Sequence, residues 1–151
     1  MVLLDVNALI ALFSEQHVHH RAVHDWFADA KSGGWATCPL TENGFVRVMR
    51  QRRPTWPVAE FVALLRRFCG DRNHTFWPDT LSLTDSAVFD HSIIDGPHQI
   101  TDLYLLALAV KKDAALATTD RSIQLRPVRG AAEKHLIVIN AGPEASTSEG
   151  N

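Results

Sequence analysis

Four acidic residues stand where an isolated carboxylate is costly or oddly placed. Asp5 is the only charge in the opening run MVLLDVNALIALF, and burying it without a partner costs on the order of several kcal/mol. Glu42 falls in the first turn of a predicted helix after WATC, Asp102 opens TDLYLLALAVKKDA, and Asp120 ends ALATTD. Singly, Glu42 and Asp102 read better as helix-capping or first-turn charges, and Asp120 equally well as a turn aspartate. Together, at one end of one sheet, the four would repel strongly and persist only around a cation. An all-carboxylate set without His or Cys indicates Mg²⁺ or Mn²⁺ rather than zinc. Such an ion lowers the pKa of a bound water, and a second ion about 3.5–4 Å away would steady a departing 3′ oxygen. Phosphodiester hydrolysis is the chemistry that follows.

These acids need elements to position them. VLLDV reads as a buried strand, with Asn7 able to cap the helix NALIALF. HVHHRAVHDWFADAKSGG carries apolar residues at helical spacing and stops at Gly33-Gly34. WATC is a strand, Pro39 opens a helix through LTENGFVRVMRQ, and Pro57 opens another that ends at Gly70. HTFWP is a third strand, LTDSAVFDHSI a helix, and IIDGPHQ a loop. TDLYLLALAVKKDA is apolar almost all round and should be deeply buried. ALATTD and HLIVIN are the last strands, separated by loop from Arg121 to Glu133. Alternating strands and helices predict an α/β/α sandwich on a mostly parallel sheet. In such sheets ligands bind at the carboxyl ends of the strands, which is where Asp5 and Asp120 fall. Residues 1–140 form one domain in this reading, and the polar tail 141–151 is expected to be disordered.

Other residues admit two readings each. Arg47, Arg50, Arg52 and Arg53 could contact phosphate or could be a solvated helix end, with Arg47 the preferred contact because it follows Glu42 on one helix. Arg121, beside Asp120, could reach phosphate or lie on the surface. His17, His20 and His24 share a helical face that suits a soft metal or simply solvent. Asp79 could be a fifth acid or a turn residue after Pro78. Trp35, Trp56 and Trp77 read as core or dimer contacts in preference to base-stacking platforms.

The chain has 151 residues, 46% hydrophobic and 21% charged, with a formal net charge of −2. That is ordinary for one soluble globular domain and unlike a basic nucleic-acid-binding module. No apolar run approaches the ~20 residues of a membrane span. The two cysteines match no metal-site spacing, and a reduced, cytoplasmic setting is the simplest expectation.

LLDVNALIALF, TENGFVRVM, QITDLYLLALA and ATTDRS, in that order over about residues 1–140, resemble the PIN domain and, more narrowly, the VapC toxins of bacterial toxin–antitoxin pairs. The resemblance implies a PIN-like fold and a Mg²⁺- or Mn²⁺-dependent endoribonuclease, a hydrolase of tRNA or other translation RNA. It implies that Asp5, Glu42, Asp102 and Asp120 are the metal-binding acids. Asn7 matches a small polar position after the first acid, and Thr118 a hydroxyl position that helps hold the site. A VapB-like antitoxin, packing near the helices at 8–32 and 57–69, and a homodimer, heterotetramer or larger assembly are implied as well.

Three rival functions are weighed against this layout. A phosphoacceptor receiver domain needs an acidic pair at the first strand end, which is missing here. A non-catalytic RNA-binding PIN-like module would be favoured by a basic chain, and this one is slightly acidic. A phosphatase with a nucleophilic first Asp needs a second Asp two residues on, where Asn7 stands.

Overall fold

A computed structural model describes residues 1–140. The expectation for the tail, 141–151, lies outside the described residues. Five short strands, β1 (Val2–Leu4), β2 (Trp35–Thr37), β3 (His74–Phe76), β4 (Ala115–Thr118) and β5 (Leu136–Val138), form one sheet in the order β3-β2-β1-β4-β5. Every pairing is parallel, with Val2 opposite both Trp35 and Ala115, and Thr118 opposite Val138. β1 is central, and chain order reverses direction on its two sides, which makes its carboxyl end the switch point of the sheet.

The helices are α1 (Val6–Phe13), α2 (His20–Ala30), α3 (Pro39–Arg52), α4 (Val58–Phe68) and α5 (Ile100–Lys111). Side chains of a strand alternate between faces. Accordingly Val2 and Leu4 join Val23, Phe27, Phe45, Phe61 and Leu65 in a core under α1–α4. Leu3, Ala36 and Leu116 join Leu103, Leu105, Leu106 and Phe89 in a second core under α5. The result is the expected three-layer α/β/α sandwich. In α5 every residue from Leu103 to Ala109 is buried, as its nearly uniform apolar surface predicts.

Three local expectations are corrected. LTDSAVFDHSI is no α-helix: it folds into turns, an antiparallel bridge between Phe89 and Val128, and a 3-10 turn at His91–Ile93. Its own side chains compete with a helix for backbone donors. Asp85 Oδ1 accepts from Ala87 N at 2.9 Å, and Asp90 Oδ1 from Ser92 N at 3.3 Å. The cap of α1 is Asp5 instead of Asn7, and the helix starts one residue earlier, at Val6. His17 precedes α2, where its Nδ1 accepts from His19 N, so the expected three-histidine helical face does not form.

One close approach sets the packing of α1 on α3. A Cβ built on Gly44 would lie 2.6 Å from Val6 Cγ2, so only glycine allows the two helices this separation. Asp5 precedes α1 directly and Glu42 lies in the first turn of α3, so this contact helps fix the distance between the ends of β1 and β2.

Candidate metal centre

All strands are parallel, so their carboxyl ends share one edge. Asp5 follows β1 directly, Asp120 lies two residues past β4, and Glu42 is in the first turn after β2. α5 runs into the start of β4 through residues 112–114, so its first turn, with Asp102, returns to the same edge.

Asp5 is held from four sides. Its N donates to Ala117 O at 3.0 Å and its carbonyl accepts from Leu9 N at 3.0 Å. Oδ1 accepts from Val6 N at 2.6 Å, and Oδ2 accepts from the Thr118 hydroxyl at 2.7 Å. The residue is only 2% exposed. Burial pushes its carboxyl above the ordinary range and the Asp120 charge adds to that, while the bonds from Thr118 and Val6 pull the other way.

Thr118 Oγ1 also accepts from Asp120 N at 3.0 Å, so one hydroxyl ties both aspartates to the end of β4. Asp120 Oδ1 accepts from Ser122 N at 2.7 Å. Asp102 is half-buried, and its carboxyl is pushed up to about 6, first by burial and then by the charges of Asp5 and Asp120. His98, just ahead of α5, offsets part of this. Asp102 thus feels both Asp5 and Asp120 at one edge of the sheet, whereas among the described residues the three-ligand group whose ligand atoms all lie within 4.8 Å of one another is Glu42, Cys69 and His74. Among the described residues no Lys or Arg forms an ion pair with Asp5, Asp102 or Asp120. Mutually repelling oxygen donors without a protein counter-charge fit a hard divalent cation.

Glu42 stands one strand away and turns to other partners. Its Oε1 accepts from the buried Thr37 hydroxyl at 2.7 Å, and the same hydroxyl lies 2.8 Å from His74 Nε2. The strand β3 was legible in sequence, but His74 was not singled out. Its proximity to Glu42 depends on the β2–β3 register, which no local pattern carries. Asn7 is exposed in the first turn of α1 and makes no side-chain hydrogen bond among the described residues. Arg47 is exposed, and five helical residues from Glu42 is about 140° around α3. Arg121 Nε donates to Asn140 Oδ1 at 2.7 Å. Asp79 is exposed after β3, on the side of Cys38, whose thiol is pushed up first by burial and then by the Asp79 charge. Trp35 and Trp77 are core residues, whereas Trp56 is 45% exposed, with Arg53 5.1 Å over its ring.

Residues 2–127 match the PIN domain family. Over 139 residues the chain is 46% identical to Ribonuclease VapC44 of Mycobacterium tuberculosis, covering 91% of this chain and 98% of that protein. It is 40% identical over 125 residues to Ribonuclease VapC39, covering 80% and 89% respectively. Ribonuclease VapC38 is 42% identical over 127 residues, covering 82% and 87%. Both are from the same organism. The expected resemblance is borne out over most of the chain.

Proposed function

The chain belongs to the PIN-domain family, among the VapC toxins, and from that membership we propose that it is a metal-dependent endoribonuclease whose metal-binding acids are Asp5, Glu42, Asp102 and Asp120. The observation that carries the reading is the coupling of Asp5, Asp102 and Asp120 at the switch point of the sheet, with no Lys or Arg ion pair to them among the described residues. Mg²⁺, or Mn²⁺, suits three hard oxygen donors. When bound, the ion activates a water at neutral pH and screens the phosphate charge.

The protein's own groups do the positioning. Thr118 fixes Asp5 Oδ2 by its hydroxyl, and the Ser122 N–H fixes Asp120 Oδ1. Asp102 exchanges a proton near neutrality until a cation replaces it. Glu42 is the proposed fourth acid, and its Oε1 accepts from the Thr37 hydroxyl. Asn7 is exposed beside Asp5, where it would meet substrate or water. Arg47 and Arg121 are proposed phosphate contacts. Hydrolysis of this kind leaves 5′-phosphate and 3′-hydroxyl ends. The finer assignments are tRNA or another translation RNA as substrate, a VapB-like antitoxin as inhibitor, assembly as a homodimer or a larger complex with it, and a cytoplasmic setting. No described helix is long and apolar enough to cross a membrane.

The test is expression of the wild type against Asp5→Asn, each with and without the partner gene, together with sequencing of RNA ends. Asn keeps the helix cap but removes the charge. Arrest by the wild type alone, with new 5′-phosphate ends, is the expected result. Arrest by both proteins would overturn the catalytic reading and favour a non-catalytic RNA-binding module. The family match leaves the receiver-domain alternative without support.

A further inference from the structure

Away from the aspartate group, Glu42, Cys69 and His74 each present one ligand atom, and the three atoms lie within 4.8 Å of one another. They come from the first turn of α3, the residue that closes α4, and the first residue of β3. The Thr37 hydroxyl sits among them, 2.7 Å from Glu42 Oε1, 2.8 Å from His74 Nε2 and 3.9 Å from Cys69 Sγ. All three line one open cavity of about 430 Å³.

We propose that Glu42, Cys69 and His74 form a second divalent-cation site, selective for a thiophilic ion such as zinc, with its fourth position open to the cavity. The donor set separates it from the aspartate group, with which it would share only Glu42. Thiolate, imidazole and carboxylate together suit zinc, whereas oxygen alone suits magnesium. Tetrahedral zinc, with bonds of about 2.0–2.3 Å, holds its ligand atoms roughly 3.3–3.6 Å apart. Side-chain adjustments on the order of 1 Å close the observed spacing to that value.

The surroundings also suit an ion. The His74 ring packs against Trp35, 4.5 Å between ring centroids, which restrains the orientation of a ligating imidazole. Burial keeps that ring in its neutral, ligating form. Binding breaks the Cys69 S–H bond, forms a sulfur–metal bond and releases the proton to solvent. The Thr37 proton goes to Glu42, so His74 Nε2 carries the ring proton in the free chain; on binding that proton is lost from Nε2 to solvent while Nδ1 takes one up, Nε2 ligates the ion, and Glu42 exchanges the Thr37 hydroxyl for it. Arg66 lines the same cavity but is exposed, and can keep its charge in water.

The site does not rest on the ribonuclease reading, and its readouts need no RNA. The metal-free full chain is titrated with Co²⁺ followed by absorption, and with Zn²⁺ by calorimetry. One equivalent of Co²⁺ should produce a thiolate-to-cobalt charge-transfer band that Zn²⁺ abolishes. Cys69→Ser should lose the band, and both Cys69→Ser and His74→Gln should weaken Zn²⁺ binding by at least about tenfold. Circular dichroism matching the wild type shows that each variant is folded, and Mg²⁺ affinity unchanged in Cys69→Ser separates the two sites. No band in the wild type overturns the proposal. So does a band that survives in Cys69→Ser, which would belong to Cys38, or full zinc affinity in His74→Gln.

Discussion

The Thr118 hydroxyl donates a 2.7 Å hydrogen bond to Asp5 Oδ2, joining the ends of β1 and β4 across 113 positions of chain. The same oxygen accepts from Asp120 N, so it sets the relation of two acids at once. Thr118→Val keeps the shape and removes both contacts. A hydrogen bond to a charged group is worth about 1.5–3 kcal/mol, and the variant should lose roughly that much stability in urea. RNA cleavage should fall about tenfold or more, since the acids lose their fixed spacing. Cleavage at the wild-type rate would remove Thr118 from the positioning role.

Asp102 gives the metal-free protein a characteristic pH dependence. Its folded pKa is raised from 3.8 to about 6. Between those values the folded chain holds more protons than the unfolded chain. Its contribution to stability is therefore full below the lower value and lost as pH rises through the upper one. Asp5 acts in the same direction. In a chelator, thermal unfolding should occur at a lower temperature at pH 7 than at pH 5. Asp102→Asn should flatten that difference, and a slope of the opposite sign would contradict the burial of this carboxyl.

Magnesium should reverse the same trend. A cation that binds only the folded chain stabilises it by mass action, and it competes with protons for the aspartates. Millimolar Mg²⁺ should raise the unfolding temperature at pH 7 and do little at pH 5. Asp5→Asn should abolish the effect. Stabilisation independent of pH would place the ion elsewhere.

Gly44 should resist substitution more than its partial helix position suggests. Alanine is ordinarily the better helix former by about 1 kcal/mol. Here its Cβ would meet Val6 Cγ2 at 2.6 Å, and overpacking of this kind costs about 1–3 kcal/mol. Gly44→Ala should therefore lower the denaturation midpoint and reduce cleavage, because α1 and α3 carry Asp5 and Glu42. A stabilised variant would show that the helices separate freely.

Much of this was legible in the chain itself. VLLDV and ALATTD are too apolar for edge strands, and both lie at the centre of a parallel sheet. The uniform apolarity of α5 marked it as buried, and the odd carboxylates fell at one edge. What local pattern could not carry was set by geometry between distant elements. The helix expected at 83–93 lost to turns held by Asp85 and Asp90. Asp5 displaced Asn7 as cap because its carboxylate reaches Val6 N while also facing Thr118. Glu42 read as one of four equal acids, yet it faces Thr37 and His74, a relation created by the pairing of β2 with β3.

The strand that delivers Asp5 is the one at the centre of the finished sheet. The hydroxyl that orients Asp5 lies 113 positions further along the chain, at 118, and the acid beside it at 120. Pairing so distant in sequence forms late in folding. A nascent or prematurely terminated polypeptide lacking β4 would carry the first acid with no partner to aim it. Cutting power would then arrive only after residues 118–120 have joined the sheet.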